Sequence, residues 1–292
     1  MVAELIFVGL ALFGTAFGTW TDLKNRWVPD WINFLLIGFG LGGHVILSIL
    51  EWSVWPITYS LIGFSVFFAV GAVMFYGGAW GGGDAKLLAG IGALLPTISI
   101  NLFNKAPWPF LITLFINIIF VGAILSIIMI GILAIKNHDK IKKEIRQEVF
   151  KNKKIIYSAG ISLAIPIVAS FINPEFKLLL IIWIFAISII FLIFLTKSVE
   201  KTCMLKKIKP AELVEGDWVT GEIKIAEYHY KPKKFGIEKK DIQKLIELEN
   251  QGKIKEIEVK DGLPYVPSFL IALIISLTYG DIISAILMAT LA

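Results

Sequence analysis

The sequence predicts an all-α polytopic membrane protein of about eight transmembrane helices with a small α+β cytoplasmic domain. Three observations carry that reading. The 292 residues are 57% hydrophobic and only 17% charged, with a mean hydropathy of +0.77; a soluble domain carries about 25% charged residues. Apolar runs of about 20 residues recur along the chain, which is the length that crosses a bilayer as a helix. The bases also fall into a few blocks: residues 21–30, 78–87, 136–154 and 197–263 hold 26 of the 28 Lys and Arg. If all four blocks face the cytoplasm, the chain obeys the positive-inside rule and both termini lie outside.

Val2–Trp20 is the first apolar segment. It has no basic flank before it and no small-residue cleavage pattern after it, so it reads as a retained helix rather than a signal peptide. TDLKNRWVPD, residues 21–30, follows as a short polar loop. Trp31–Leu50 is the second span, opened by Pro29 and Asp30 in the manner of a helix N-terminus. Val54–Phe75 is the third span and Lys86–Ile100 a short fourth. Asn101–Pro109 interrupts, and Phe110–Ile135 is the fifth. These spans, residues 1–135, form the expected membrane core.

Residues 136–154 read as a basic cytoplasmic loop. Ile155–Ile172 and Phe176–Thr196 make an extra transmembrane hairpin (155–196) about Asn173–Pro174–Glu175. Residues 197–263 are the expected cytoplasmic α+β domain: alternation over 220–230 suggests a strand, Ile242, Leu245 and Ile246 a helix ending near Gly252, and 255–259 another strand. Pro264–Leu291, within 264–292, reads as the last transmembrane helix.

Cys203 is the one cysteine, and His44, His138 and His229 are scattered, so neither a disulfide nor a metal cluster is expected, and no cofactor. Trp20, Trp27, Trp31, Trp52, Trp55 and Trp108 stand at span ends, as interfacial aromatics do. The lysines of 136–154 and 197–263 solvate a cytoplasmic face and meet anionic lipid. Nothing reads as nucleic-acid recognition.

The chemistry concentrates in FYGGAWGGGDAKLLAGIGALLP, residues 75–96. Gly81, Gly82 and Gly83 precede Asp84 at the start of an apolar helix, where an acid caps free N–H groups and glycine lets another backbone approach. Alone, this reads as a capped helix start. Under the predicted topology, however, Asp22 and Asp84 share one membrane depth at the cytoplasmic ends of separate spans. Ionisable groups there are costly and mark function. Two carboxyls at close range share a proton, leaving one to activate water and one to donate, with no metal or cofactor. Asp22 alone could be a surface ion pair with Lys24 or Arg26. Asp30 reads as an N-cap, Asp281 as structural, Glu4, Glu51 and Glu175 as interfacial, and His44 as a packed, hydrogen-bonded residue.

Gly81-x-Gly83-Asp84, together with Asp22 directly after the first span and Asp30 eight residues on, resembles the archaeal type IV prepilin and preflagellin peptidases, relatives of the bacterial prepilin peptidases. The last span GLPYVPSFLIALIISLTYGDII and EGDWVT at 215–220 are similar to archaeal members as well. The resemblance implies that Asp22 and Asp84 are the catalytic pair of a membrane aspartic endopeptidase. It also implies a pilin-like or archaellin precursor as substrate, with a basic n-region and one apolar helix, cut at the cytoplasmic face of the cell membrane. Two departures stand out. The 155–196 hairpin is absent from six-span archaeal members, and the cysteine-bearing insert linked to N-methylation in bacterial relatives is missing here, so peptidase activity alone is expected. Two other readings compete: a presenilin-like intramembrane protease, whose first Asp lies within a span after a Tyr, and a transporter, whose acids would lie near the midplane between repeats.

Overall fold

The computed structural model describes residues 2–97, 108–172, 176–225, 228–233 and 236–291. In chain order it contains α1 (Val2–Asn25), α2 (Asp30–Leu50), α3 (Trp55–Tyr76), α4 (Gly82–Leu94), α5 (Phe110–Lys136), α6 (His138–Lys151), α7 (Lys153–Ile172) and α8 (Lys177–Cys203). Strands β1 (Leu205–Ile208), β2 (Trp218–Val219), β3 (Ile223–Ile225) and β4 (Tyr228–Tyr230) come next. Helix α9 (Lys239–Asn250), strand β5 (Ile257–Lys260), and helices α10 (Val266–Thr278) and α11 (Ile282–Leu291) complete the order. Two compact units result: Met1–Ser126 with Gly262–Ala292, and Ile127–Asp261.

The first unit is built around α4. That helix is 13 residues long, and Leu87 through Leu94 are all buried. At 1.5 Å per residue it is about 20 Å long, short of the roughly 30 Å of bilayer hydrocarbon. Small residues let its neighbours close on it, as small faces do between membrane helices. A Cβ on Gly40 of α2 would come within 2.7 Å of the Ala93 backbone, and one on Gly71 of α3 within 2.9 Å of the Ala85 carbonyl oxygen. Ser60 Oγ donates to the Ala93 carbonyl at 2.7 Å. Ile32 and Leu36 from α2, Leu114 and Ile118 from α5, and Phe269 and Leu273 from α10 complete a fully buried core. Facing outward are large apolar side chains such as Ile6, Phe13, Phe39, Phe68 and Val73, the surface a bilayer covers.

Among the described residues, α1, α2, α3, α5 and α8 are long and apolar enough to cross a membrane. The other three expected spans take different forms. The fourth is the short α4, and its expected end at Ile100, the break over 101–107 and the hairpin turn 173–175 lie outside the described residues. The sixth is α7, which opens on Lys153 and Lys154 and contains Pro166. The last, expected as one helix, is two, because Gly280 adopts φ +84° and Asp281 starts a new helix. Asp281 accepts the Ile283 N–H at 3.0 Å and the Ser284 hydroxyl at 2.7 Å. Asn117 of α5 fastens the break: its amide donates to Ser276 Oγ and the Gly280 carbonyl, both at 2.8 Å, and its oxygen accepts the Ile282 N–H at 3.2 Å.

In the second unit the basic segment is not a loop but α6. Its Ile141 and Glu148 are buried, and Lys201 of α8 reaches Glu144 at 3.2 Å and also pairs with Glu148. Lys201 is the largest cause of the Glu148 carboxyl lying below its ordinary range. The sheet-containing part has antiparallel order β1-β5-β2, with Lys206 opposite Val259 and Trp218 opposite Lys260. The single strand expected over 220–230 is a hairpin, β3 with β4, in the register Ile223↔Tyr230. Ile242, Leu245 and Leu248 of α9 bury against Val219, Ile257 and Val259, and α9 stops before Gly252 at φ +70°.

A candidate active site of two carboxylates

Asp22 is not in a polar loop. Helix α1 continues through Asn25, with Lys24 in its last turn, and ends where Arg26 turns to φ +60° and donates its N–H to the Asp22 carbonyl at 3.0 Å. Thr21 ties its hydroxyl to the Gly18 carbonyl at 3.0 Å, and both Thr21 and Asp22 are buried. The Asp22 carboxylate accepts the backbone N–H of Val266, the first residue of α10, at 3.0 Å. The first N–H groups of a helix have no partner within it, so a side chain 244 residues away in sequence supplies the cap. Gly18 makes room for this approach: a Cβ there would meet Val266 Cγ1 at 3.3 Å and Leu87 Cδ2 at 3.4 Å. The Thr19 hydroxyl adds a donation to the Val266 carbonyl at 3.4 Å.

Asp84 occupies the third position of α4 and accepts the Gly81 N–H through Oδ2 at 3.0 Å. The three glycines differ in their surroundings. Gly81 is exposed, and a Cβ there would meet the Asp84 carboxyl, with Oδ2 at 3.5 Å; one on Gly82 would touch the Phe75 ring at 3.7 Å. On Gly83 it would lie 3.1 Å from Val28 Cβ and 3.3 Å from the Val28 backbone N and O. Asn33, fully buried on α2, donates to the Gly83 carbonyl at 3.4 Å.

The two acids are close enough for the charge of Asp22 to act on the Asp84 carboxyl. Each carboxylate faces the positive end of a helix dipole, Asp22 that of α10 and Asp84 that of α4. Beside them lies an aromatic cluster absent from the sequence reading. Trp80 is buried, with its ring 5.5 Å from Tyr265 and 5.2 Å from Phe269. Tyr265, immediately before α10, donates its hydroxyl to the Ile118 carbonyl at 3.4 Å, and the charge of Asp84 reaches it. The only sequence signal for these residues is their adjacency to the glycine run and to the start of the last apolar segment.

Asp30 is not the N-cap of α2. Pro29 holds that position without a side-chain cap, and Asp30 is the first helical residue, paired with Lys86 at 2.7 Å on an exposed surface. A proline at the cap fixes φ and leaves no side-chain acceptor, so Asp30 is free to reach α4. Asp281 is structural, as described. His44 is packed and hydrogen-bonded, with Nδ1 2.7 Å from the Gly40 carbonyl and its ring stacked on Phe7. Among the described residues no group of three or more His, Cys, Asp or Glu is arranged to hold a metal ion.

Residues 8–127, the stretch containing both Asp22 and Asp84, match the type IV leader peptidase family. The chain is 23% identical to the prepilin peptidase EppA of Methanothermobacter thermautotrophicus over 97% of this chain and 96% of that protein. It is 31% identical to the preflagellin peptidase of Methanococcus voltae over 46% of this chain and 58% of that one. With the preflagellin peptidase of Methanocaldococcus jannaschii it shares 40% identity over 26% of this chain and 32% of that one. These matches bear out the resemblance drawn from the sequence.

Proposed function

We propose that this protein is a multi-pass aspartic endopeptidase of the cell membrane that removes the leader of a type IV pilin-like or archaellin precursor at the cytoplasmic face. The observation that carries the reading is that Asp22 and Asp84, each bound to a backbone N–H at a helix N-terminus, lie close enough for the charge of Asp22 to act on Asp84. The names of the relatives supply the substrate class. Water held between the carboxyls attacks the scissile carbonyl carbon. The ionised carboxylate takes a proton from that water while the protonated one gives its own to the carbonyl oxygen. Collapse of the diol breaks the C–N bond, and a proton passes to the leaving nitrogen.

A bond within a helix is shielded by its own hydrogen bonds, so the cleaved segment must be extended. Gly81 and Gly82 offer bare backbone beside Asp84 for that strand, while the α-carbon of Gly83 is taken up by Val28. The precursor's basic n-region remains in the cytoplasm and its apolar helix in the bilayer. Co-expression with candidate precursors, followed by mass spectrometry of the product, tests the reading. The expected new N-terminus falls just before the apolar segment, after a small residue. A cut several residues inside the apolar segment would instead point to intramembrane proteolysis.

A further inference from the structure

The opposite ends of the first unit's helices enclose a second site. A cavity of about 250 Å³ opens where α1 begins and α2 and α4 end, bounded by Glu4, His44, Glu51, Ser53, Trp55 and Tyr59 over an apolar floor that includes Leu94 and Leu95. At about 30 Å³ per water, it has room for roughly eight water-sized groups.

His44 defines what the cavity can take. Its Nδ1 lies 2.7 Å from the Gly40 carbonyl, an oxygen that only accepts, so Nδ1 carries the hydrogen and donates. The ring is fixed in that orientation by stacking on Phe7, with centroids 4.4 Å apart and planes 11° from parallel. In the neutral imidazole Nε2 is then an acceptor. This side chain is 7% exposed, and among the described residues nothing is seen to donate to Nε2. The cavity that His44 lines is where a donor can reach Nε2.

The rest of the lining narrows the chemistry. Glu4 and Glu51 add two carboxylates, and no Lys or Arg is among the described lining residues. The C-terminal ends of α2 and α4 bring partial negative charge. Trp55 and Tyr59, stacked 5.7 Å apart, offer ring faces that suit the carbons next to a cation. Charge alone would accept any cation. The imidazole nitrogen adds a demand for an N–H donor, which a quaternary ammonium lacks. A metal ion wants at least three ligands arranged around it, and no such group occurs among the described residues.

We propose that this cavity binds a primary ammonium group on a short apolar stem, carried either by an amine-bearing lipid headgroup or by a free alkylamine. Its N–H donors serve the imidazole nitrogen and a lining carboxylate, and its stem lies on the apolar floor. The site is independent of the carboxylate pair and of the peptidase reading.

The test uses the full-length protein in detergent. Native mass spectrometry compares retention of phosphatidylethanolamine and phosphatidylcholine with identical acyl chains, and butylamine and butyltrimethylammonium are titrated as competitors. The expected result is at least ten-fold preference for the primary amine, lost in Glu51→Gln and in His44→Phe, which keeps an aromatic ring against Phe7 but removes the acceptor. Should His44→Phe fail to fold, Glu51→Gln and Glu4→Gln, both surface changes, carry the comparison. Preference for phosphatidylethanolamine that butylamine cannot displace identifies a lipid ligand; binding of butylamine without lipid preference identifies a free amine. Equal retention of both lipids with no amine binding, equal binding of butyltrimethylammonium, or a preference unaltered by the glutamate variants would overturn the proposal.

Discussion

Asp22 and Asp84 each hold a backbone N–H, so an amide replacement tests chemistry with little disturbance of structure. Asparagine caps a helix about as well as aspartate, so Asp22→Asn keeps the bond to Val266 and Asp84→Asn the bond to Gly81. Each variant should insert normally in the membrane yet lose precursor cleavage, on the order of 10⁴-fold, as loss of one member of a catalytic set does. Normal processing by either one would remove the dyad from the mechanism. Asp30→Asn should behave differently. It breaks an exposed pair with Lys86, worth about 1 kcal/mol or less, and cleavage should stay near the wild-type rate.

At the scale of the element, α4 and the α10–α11 pair show how small or polar residues let apolar helices meet. Gly83→Ala forces a Cβ against the Val28 backbone and should cost about 1–3 kcal/mol as overpacking, with lowered thermal stability and cleavage together. Gly81→Ala meets only ordinary contact distance. Its stability should hold, so any fall in cleavage there reports on the approach of the substrate strand. Asn117→Leu removes three hydrogen bonds at once and strands the Gly280 carbonyl and the Ile282 N–H. Unsatisfied buried groups cost about 1–3 kcal/mol each. Thermal unfolding in detergent should shift down clearly, and an unchanged melting temperature would mean that the break between α10 and α11 is held by something else.

For the whole molecule, the charge distribution and the absence of a metal-ligand cluster among the described residues each lead to a measurement. Cys203 is half-buried, so a better reporter is exposed Lys207→Cys in a Cys203→Ser background. An impermeant maleimide should miss it in intact cells and label it after permeabilisation; labelling of intact cells would place residues 197–263 outside and reverse the topology. Cleavage in detergent should survive strong chelators, because a carboxyl dyad moves protons without a metal. Loss on chelation with rescue by a divalent ion would demand another mechanism.

Much of this protein is determined by its sequence alone. Apolar length and the clustering of bases set the membrane class, since a bilayer rewards about 20 apolar residues in a row whatever they pack against. The glycine run before Asp84 and the acid after the first apolar segment were legible as a candidate pair, because both are expensive where they stand. Only the tertiary structure decided the rest. Whether Lys86–Ile100 crosses a membrane depends on Gly40, Gly63 and Gly71 of other helices closing around α4, which no window of its own sequence contains. The break at Gly280–Asp281 is stable because Asn117, more than 160 residues earlier, satisfies both sides of it. Asp22 faces the start of α10 rather than solvent because Gly18 leaves space for Val266. Local composition sets the solvent a segment prefers, but where a polar group finds its partner is settled by chain contacts far apart in sequence.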